Sequence, residues 1–353
     1  FLLSAGPLAI QWIASGERSL VMDCKRHDTQ PARSAAPANV VFENLHPAHT
    51  ESRAELLAGL QLAQKRVDPK YFYDAHGSEL FEQITQQPEY YPTRTEKGIL
   101  NDYATEIAAC CGAGCVLIEP GSGNSEKVRL LLKALRPAAY VPVDISSEFL
   151  YATAVKLGGE YPWLKVHAVC ADFGSPWQEQ VQLPVGRRVV FYPGSTIGNM
   201  EPSQAQAFLS GLRRWLGRDG GILIGVDLHK SAALLNAAYN DSRGVTAQFN
   251  LNILNALNRQ ADGNFRQDAF SHRAFYNSEL KRVEMHLVSN EAQTVAVNGG
   301  SVHFRQGETL HTENSYKYSL QHFSALSESA GFALEKSWLD ADELFSVHYL
   351  TVA

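Results

Sequence analysis

Basic runs are missing from this sequence: 31 Lys and Arg are scattered against 37 Asp and Glu, for a formal net charge of -6. That balance leaves no electrostatic footprint for nucleic acid. Charge is modest throughout, at 19% of residues against 45% apolar, which excludes a disordered or highly charged architecture. No apolar stretch approaches the ~18 residues that span a bilayer, so no membrane is expected. The five cysteines, Cys24, Cys110, Cys111, Cys115 and Cys170, contain no CxxC pair. An odd count with two adjacent members reads as reduced thiols of a cytoplasmic protein, most simply small buried apolar residues, rather than as a disulfide framework. Internal repeats and low-complexity segments are absent too. What remains, in 353 residues, suits one large α/β unit or two subdomains that act on a small molecule, with a monomer expected.

The first residues, FLLSAGPLAIQWIA, resemble a signal h-region but lack preceding basic residues and a following cleavage site. Residues 1–38 are therefore read as an extension that carries no chemistry. From Ala54 to Arg66 the pattern is helical, with Leu56, Leu57, Leu60 and Leu62 on one side. An aromatic-rich loop, residues 70–96, follows as a pocket wall, Pro92 making it a poor helix terminus. A helix from Glu96 to about Cys110 leads into the first buried strand.

Strands are read at 116–119, 140–144, 166–172, 188–193 and 221–228, with helical patterns such as SEKVRLLLKAL and QAQAFLSGLRRWLG between them. Near-continuous apolar strands alternating with helices imply a parallel sheet covered on both faces, a doubly wound core. The alternation breaks after Asp227. Residues 229–280 look helical and 281–318 look like a meander, with Asn298-Gly299 and Gly299-Gly300 as hairpin signals. After a helix, FALEKSWLD and FSVHYLTVA close the sheet as an antiparallel pair. The expected fold is thus Rossmann-like α/β, a seven-stranded sheet with an antiparallel last strand plus an inserted α+β subdomain. Residues 39–93 and 229–317 form the substrate side of that division; 94–228 and 318–353 form the sheet domain.

The first core strand ends in Glu119-Pro120-Gly121-Ser122-Gly123-Asn124-Ser125. Gly121 and Gly123 permit a tight turn and a close backbone approach to a ligand. A nicotinamide fingerprint wants a third glycine where Glu126 stands, and that acid would repel a pyrophosphate at the helix N-terminus. Glu119 better suits a sulfonium cofactor with a cationic amino-acid tail. Asp144 ends the second strand, where an acid accepts from ribose hydroxyls, and Asp172, before Phe173, ends the third, beside an adenine. Any one of these acids reads most simply as a solvated loop residue; three at successive carboxyl ends point to S-adenosylmethionine. After the fourth strand, YPGSTIGNM offers Asn199, a neutral amide that can orient an amine without protonating it. His229, His286 and His311 have no ligand-like spacing, and no metal is expected.

Taken together, YFYDAHGSELFEQIT, PEYYPTRTE, EPGSGNSEK, PVDIS, PGSTIGNM, AYNDSRGVTAQFNLNIL, RVEMHL and TENS resemble the histidine Nα-methyltransferases of ergothioneine biosynthesis, from about residue 50 to the C-terminus. Pro120 stands where that family usually has leucine. The resemblance implies three successive methylations of L-histidine to its betaine, hercynine. It implies that Tyr90, Gly121, Lys127, Asp144, Asp172 and Phe173 hold the cofactor, with Gly194 of PGSTIGNM alongside. Asn199 and Tyr239 would hold the substrate carboxylate and backbone, with Tyr73 near the α-amine; Tyr91 is an alternative to Tyr90. Glu313 and Ser315 would hydrogen-bond the imidazole, and Met285 would pack beside it. Two residues apart on a strand, Glu313 and Ser315 share a face; Met285 and the aromatic loop would otherwise read as ordinary core. The reaction is an in-line displacement in which positioning contributes ~7–11 kcal/mol. No dedicated general base is evident, and Tyr73 is the candidate. Two other readings are a tryptophan-type Nα-methyltransferase, for which Glu313 would be a buried liability, and a non-catalytic cofactor-binding partner of a sulfoxide synthase, for which Asn199 and Tyr239 would be needless.

Overall fold

The computed structural model describes residues 36–45, 50–172 and 177–353. The expected N-terminal extension lies outside these apart from its last three residues, and Phe173 lies outside them too. Among the described residues, fourteen strands run in chain order: β1 Val40–Asn44, β2 Lys65–Arg66, β3 Val116–Pro120, β4 Ala139–Asp144, β5 Lys165–Cys170, β6 Arg188–Tyr192 and β7 Gly221–Asp227, then β8 Phe270–Asn277, β9 Arg282–Ser289, β10 Gln293–Val297, β11 Gly300–Phe304, β12 Thr309–Tyr316, β13 Phe332–Leu339 and β14 Phe345–Val352.

β3 and β7 are buried along their whole length, as near-continuous apolar strings require when helices cover both faces. Side chains of successive residues alternate between two cores: Leu117, Tyr140, Val189 and Leu223 on one face, Ile118, Val141, Val190 and Ile222 on the other. The sheet order is β1-β5-β4-β3-β6-β7-β14-β13. β14 runs antiparallel to both β7 and β13, so the last strand is reversed as expected. β1 is an eighth strand, parallel to β5 at the edge. It corrects the assignment of residues 39–44 to the substrate side. Phe42 packs edge-on against Tyr151, and the Asn39 amide donates to the carbonyls of Gly158, Tyr161 and Leu164. A five-residue edge strand, half-exposed, shows too little periodicity to be read from sequence.

The aromatic stretch is helical rather than a loop. A 3-10 turn, Pro69–Phe72, is followed by helices Ala75–Thr85 and Tyr91–Asp102. Pro92 stands in the first turn of the latter, where a missing N–H costs nothing. Asp74 caps the former by accepting from Gly77 N at 2.6 Å. These elements pack with helix Val245–Gln260 against the four-stranded sheet β2-β12-β9-β8. The rings of Phe72 and Phe249 stack there at 4.5 Å. No helix among the described residues is long and apolar enough to cross a membrane. Cys110, Cys111, Cys115 and Cys170 are free thiols.

The Asn298-Gly299 signal is a two-residue hairpin turn between β10 and β11, with φ of 50° and 73°. Two positive φ values match the right-handed twist of the flanking strands. Gly299→Ala is expected to cost ~1–2 kcal/mol because an L side chain disfavours that region; thermal melting of the variant checks it.

Candidate active site

Four strands of the large sheet end in acids or a glycine turn at one edge, and the small subdomain is laid across that edge. β3 delivers Glu119 and then the turn 121–125, in which Gly121, Gly123 and Ser125 all have positive φ. Gly121 N donates to Val143 O at 2.7 Å, which curls the turn back over β4. Asp144, at the end of β4, accepts from Gly123 N and Ser146 N at 3.0 Å each. Burial outweighs these two bonds and pushes its carboxyl above the usual range. Glu119 is 2% exposed beneath the turn and accepts from Tyr140 Oη at 2.5 Å. Burial raises its carboxyl to about 8, against the pull of Tyr140 and Lys127. Ser122 Oγ is buried in the same turn without a partner. Asp172 follows β5 at the next carboxyl end.

A backbone that curls tightly over a strand end, an orphaned hydroxyl and a carboxylate beside the neighbouring strand are what a nucleoside with a charged amino-acid tail requires. The residues present therefore fit S-adenosylmethionine. A cleft of about 460 Å³ opens beside Asp144, lined by Ala75, Glu79, Ser146, Ser147, Glu148 and Phe149. One wall is helix Ala75–Thr85, which Glu82 ties to the glycine turn through Asn124 Nδ2 at 2.8 Å.

Lys127 reaches Glu96 Oε2 at 2.5 Å, and the same carboxylate accepts from Gly194 N at 2.9 and 3.0 Å. Glu96 is fully buried and was not singled out from sequence. Room for it comes from Gly225 in β7, where an added Cβ would stand 2.0 Å from Glu96 Oε1.

On the substrate side, β12 presents Glu313 and Ser315. A bulge between His311 and Glu313 sets the register, and Glu313 pairs with Met285 of β9. Glu313 Oε2 is buried with no hydrogen-bond partner. Burial raises its carboxyl to about 8, although Lys317 pulls the other way. Tyr73 and Tyr90 are both held above their usual range by burial and then by nearby charge, Glu313 among the causes for each. Tyr73 also feels Asp144, so its hydroxyl stands between the two halves of the site. Tyr90 packs edge-on against Tyr239 at 6.3 Å and against Phe81 at 6.4 Å.

Asn199 ends the turn Thr196–Asn199, half-buried, with an amide that makes no hydrogen bond among the described residues. Gly198 brings this turn against β12: a Cβ there would lie 2.8 Å from Tyr316 O. Tyr239 follows helix Ala232–Ala238 and donates to Ser315 Oγ at 2.7 Å. Tyr91, the alternative to Tyr90, is turned elsewhere. Its hydroxyl contacts both Asp227 oxygens at 2.8 Å in a buried ion cluster. Asp227, Lys230 and Lys317 of that cluster were also missed, though Asp227 ends β7 as Asp144 ends β4, and Lys317 continues the alternation Glu313, Ser315.

β9 and β12 also bring Glu284, His286 and His311 together, with ligand atoms within 4.8 Å, an approach that sequence spacing did not reveal. The two imidazoles stack at 4.7 Å with 21° between planes, so their in-plane lone pairs do not converge on one point. Glu284 is engaged by Arg282 at 2.9 Å and Asn277 at 3.0 Å.

The sequence model for "Histidine-specific methyltransferase, SAM-dependent" matches residues 52–352. The chain is 43% identical over 296 residues to the histidine N-alpha-methyltransferase of Mycolicibacterium smegmatis, covering 82% of this chain and 91% of that protein. It is 42% identical to the Mycobacterium tuberculosis protein of the same name, covering 83% and 92%. It is 32% identical to ergothioneine biosynthesis protein 1 of Neurospora crassa over 79% of this chain and 32% of that much longer protein.

Two outcomes follow from this geometry. Asp144→Ala is expected to weaken S-adenosylmethionine by ~1.5–3 kcal/mol through loss of charge-assisted bonds; unchanged calorimetric affinity in a folded variant removes Asp144 from the site. For Glu313, a folded-state carboxyl raised from 4.5 to about 8 means that the folded protein binds a proton the unfolded chain has released, so its stabilising contribution declines as pH rises through that window. The melting temperature of Glu313→Gln minus that of the wild type should therefore climb across the same window; a flat difference contradicts the shift.

With a reversed last strand, a sulfonium-type cofactor edge and a subdomain strand carrying an unpaired carboxylate, the chain belongs to the histidine-specific, S-adenosylmethionine-dependent methyltransferases.

Proposed function

We infer that the protein transfers the methyl group of S-adenosylmethionine to the α-amino group of L-histidine, three times in succession, giving hercynine for ergothioneine biosynthesis. The observation that carries this reading is Glu313 Oε2, a carboxylate oxygen sealed from water, without a partner, on the strand beside Met285. A buried acceptor left open costs ~1–3 kcal/mol. An imidazole N–H removes that cost; a phenyl ring does not.

The bound cofactor supplies an electrophilic methyl group on a sulfonium. Everything else falls to the chain. Tyr90, Glu119, Gly121, Gly123, Lys127, Asp144, Asp172, Phe173 and Gly194 are assigned to hold it. Asn199 and Tyr239 are assigned to the substrate carboxylate and backbone. A neutral amide at Asn199 leaves the amine lone pair available, where a carboxylate would hold the ammonium form. Tyr73, between Glu313 and Asp144, is assigned to the amine and to passing its protons outward. The site is proposed to be complete in a monomer.

A competition assay with equimolar histidine and tryptophan tests the reading. Polar sites reject analogues that leave their own buried groups unpaired, so histidine is expected to win by orders of magnitude. Glu313→Ala with Met285→Val should lose ~2–4 kcal/mol toward histidine and gain an indole substrate. A wild-type preference for tryptophan, or a variant that keeps its preference for histidine, sinks the assignment.

A further inference from the structure

Lys317 has no place in the roles assigned above, yet it is buried behind two of their residues. Its ammonium has three N–H groups, and the structure gives each an acceptor: Asp227 Oδ2 at 2.7 Å, Ser315 Oγ at 2.6 Å and Tyr239 Oη at 3.0 Å. An ammonium has no lone pair, so both hydroxyl oxygens must accept from it. The two hydroxyls also touch each other at 2.7 Å, and the more acidic phenol of Tyr239 is the donor in that bond. Ser315 Oγ then accepts twice, from Lys317 and from Tyr239, which fills both of its lone pairs. Its own hydrogen has no acceptor among the described residues.

We propose that Lys317 is a positioning residue that commits Ser315 to donate toward the substrate ring, so that the site selects a neutral imidazole in one tautomer. The proposal rests on the reading that Glu313 and Ser315 bracket that ring. Glu313 Oε2 has no partner among the described residues, and in the ionised form that an N–H partner favours it is an acceptor; Ser315 offers an open donor two residues away on the same strand face. A neutral imidazole has one N–H and one bare nitrogen, which matches this pair in one orientation. A doubly protonated ring would present a second N–H to a serine oxygen with no lone pair left.

Lys317 is itself anchored: Asp227 also carries Tyr91 and Lys230, the latter at 2.5 Å. It acts on the substrate through Ser315 and is not a catalytic residue.

The first test is carried out on the wild-type protein. Histidine labelled with nitrogen-15 in the ring is bound together with S-adenosylhomocysteine near neutral pH, and the ring nitrogens are read by NMR. The expected spectrum has one protonated and one bare nitrogen, with a single tautomer replacing the mixture of the free amino acid. A bound ring protonated on both nitrogens overturns the donor role of Ser315 and leaves histidine as substrate. A failure of histidine to bind overturns both.

The second test is a double-variant cycle. Ser315→Ala and Lys317→Met are each expected to raise the KM for histidine about tenfold, a net loss of one strong hydrogen bond. The double variant should be no worse than the poorer single one, because both remove the same directed hydrogen. Losses that multiply, or a Lys317→Met protein whose cofactor affinity falls along with histidine binding, assign Lys317 to packing instead.

Discussion

Asp227 ends the central strand β7 with its carboxylate 1% exposed, ringed by Tyr91, Lys230 and Lys317. Two ammonium groups and a phenol converge on one acid in an apolar interior. Burial alone would raise the carboxyl, but Lys317 and Lys230 hold it below the usual range. For Lys317, burial works to lower the ammonium and Asp227 overrides it. Lys230 is less secure: burial brings it down to about 8 despite the same carboxylate. Removing one member of such a cluster strands the others without water, which is worth ~3–5 kcal/mol. The cluster joins three stretches of chain: the N-terminal aromatic helix through Tyr91, the sheet through Asp227, and the substrate strand through Lys317. Through these contacts it ties the end of β12 to the end of β7.

The same neighbourhood divides polar labour between the two halves of the site. At the edge of the large sheet, Asp144 is met by the backbone N–H groups of Gly123 and Ser146, and Glu119 by the Tyr140 hydroxyl. The four-stranded sheet contributes side chains instead, and it leaves Glu313 Oε2 unmet. Glu119 and Glu313 both have carboxyls raised to about 8 by burial, yet they differ in kind. Tyr140 already donates to Glu119, whereas Glu313 Oε2 has no hydrogen-bond partner.

Legibility followed locality. The five parallel strands were readable to within two residues at their ends because each is a continuous apolar string that needs no partner to explain it. The hairpin at Asn298-Gly299 was readable because two positive φ values leave few alternatives. Glu119, Asp144 and Asp172 could be singled out because ligands of such folds bind at the carboxyl ends of strands. β1 was missed because edge strands are short and half-exposed, and the aromatic stretch 70–96 because a proline that breaks a helix interior also starts one. Lys317, Glu96 and the true position of Tyr91 were out of reach. Their partners lie far along the chain, and no spacing encodes a contact between residues 91, 227 and 317.

Those separations have a consequence for how the molecule comes into being. A chain that emerges from its N-terminus completes β3 through β7 while residue 317 is still unmade, so Asp227 can meet Tyr91 and Lys230 before Lys317 exists. The last cation arrives with β12, and the closing strands β13 and β14 follow it. Until then the acid at the end of β7 lacks a partner that its burial requires, and water must remain there. Contacts of such long range are late and slow to form. A nascent chain arrested before β12 would carry the glycine turn and the acids of β3 to β5 without the strand that bears Glu313 and Ser315.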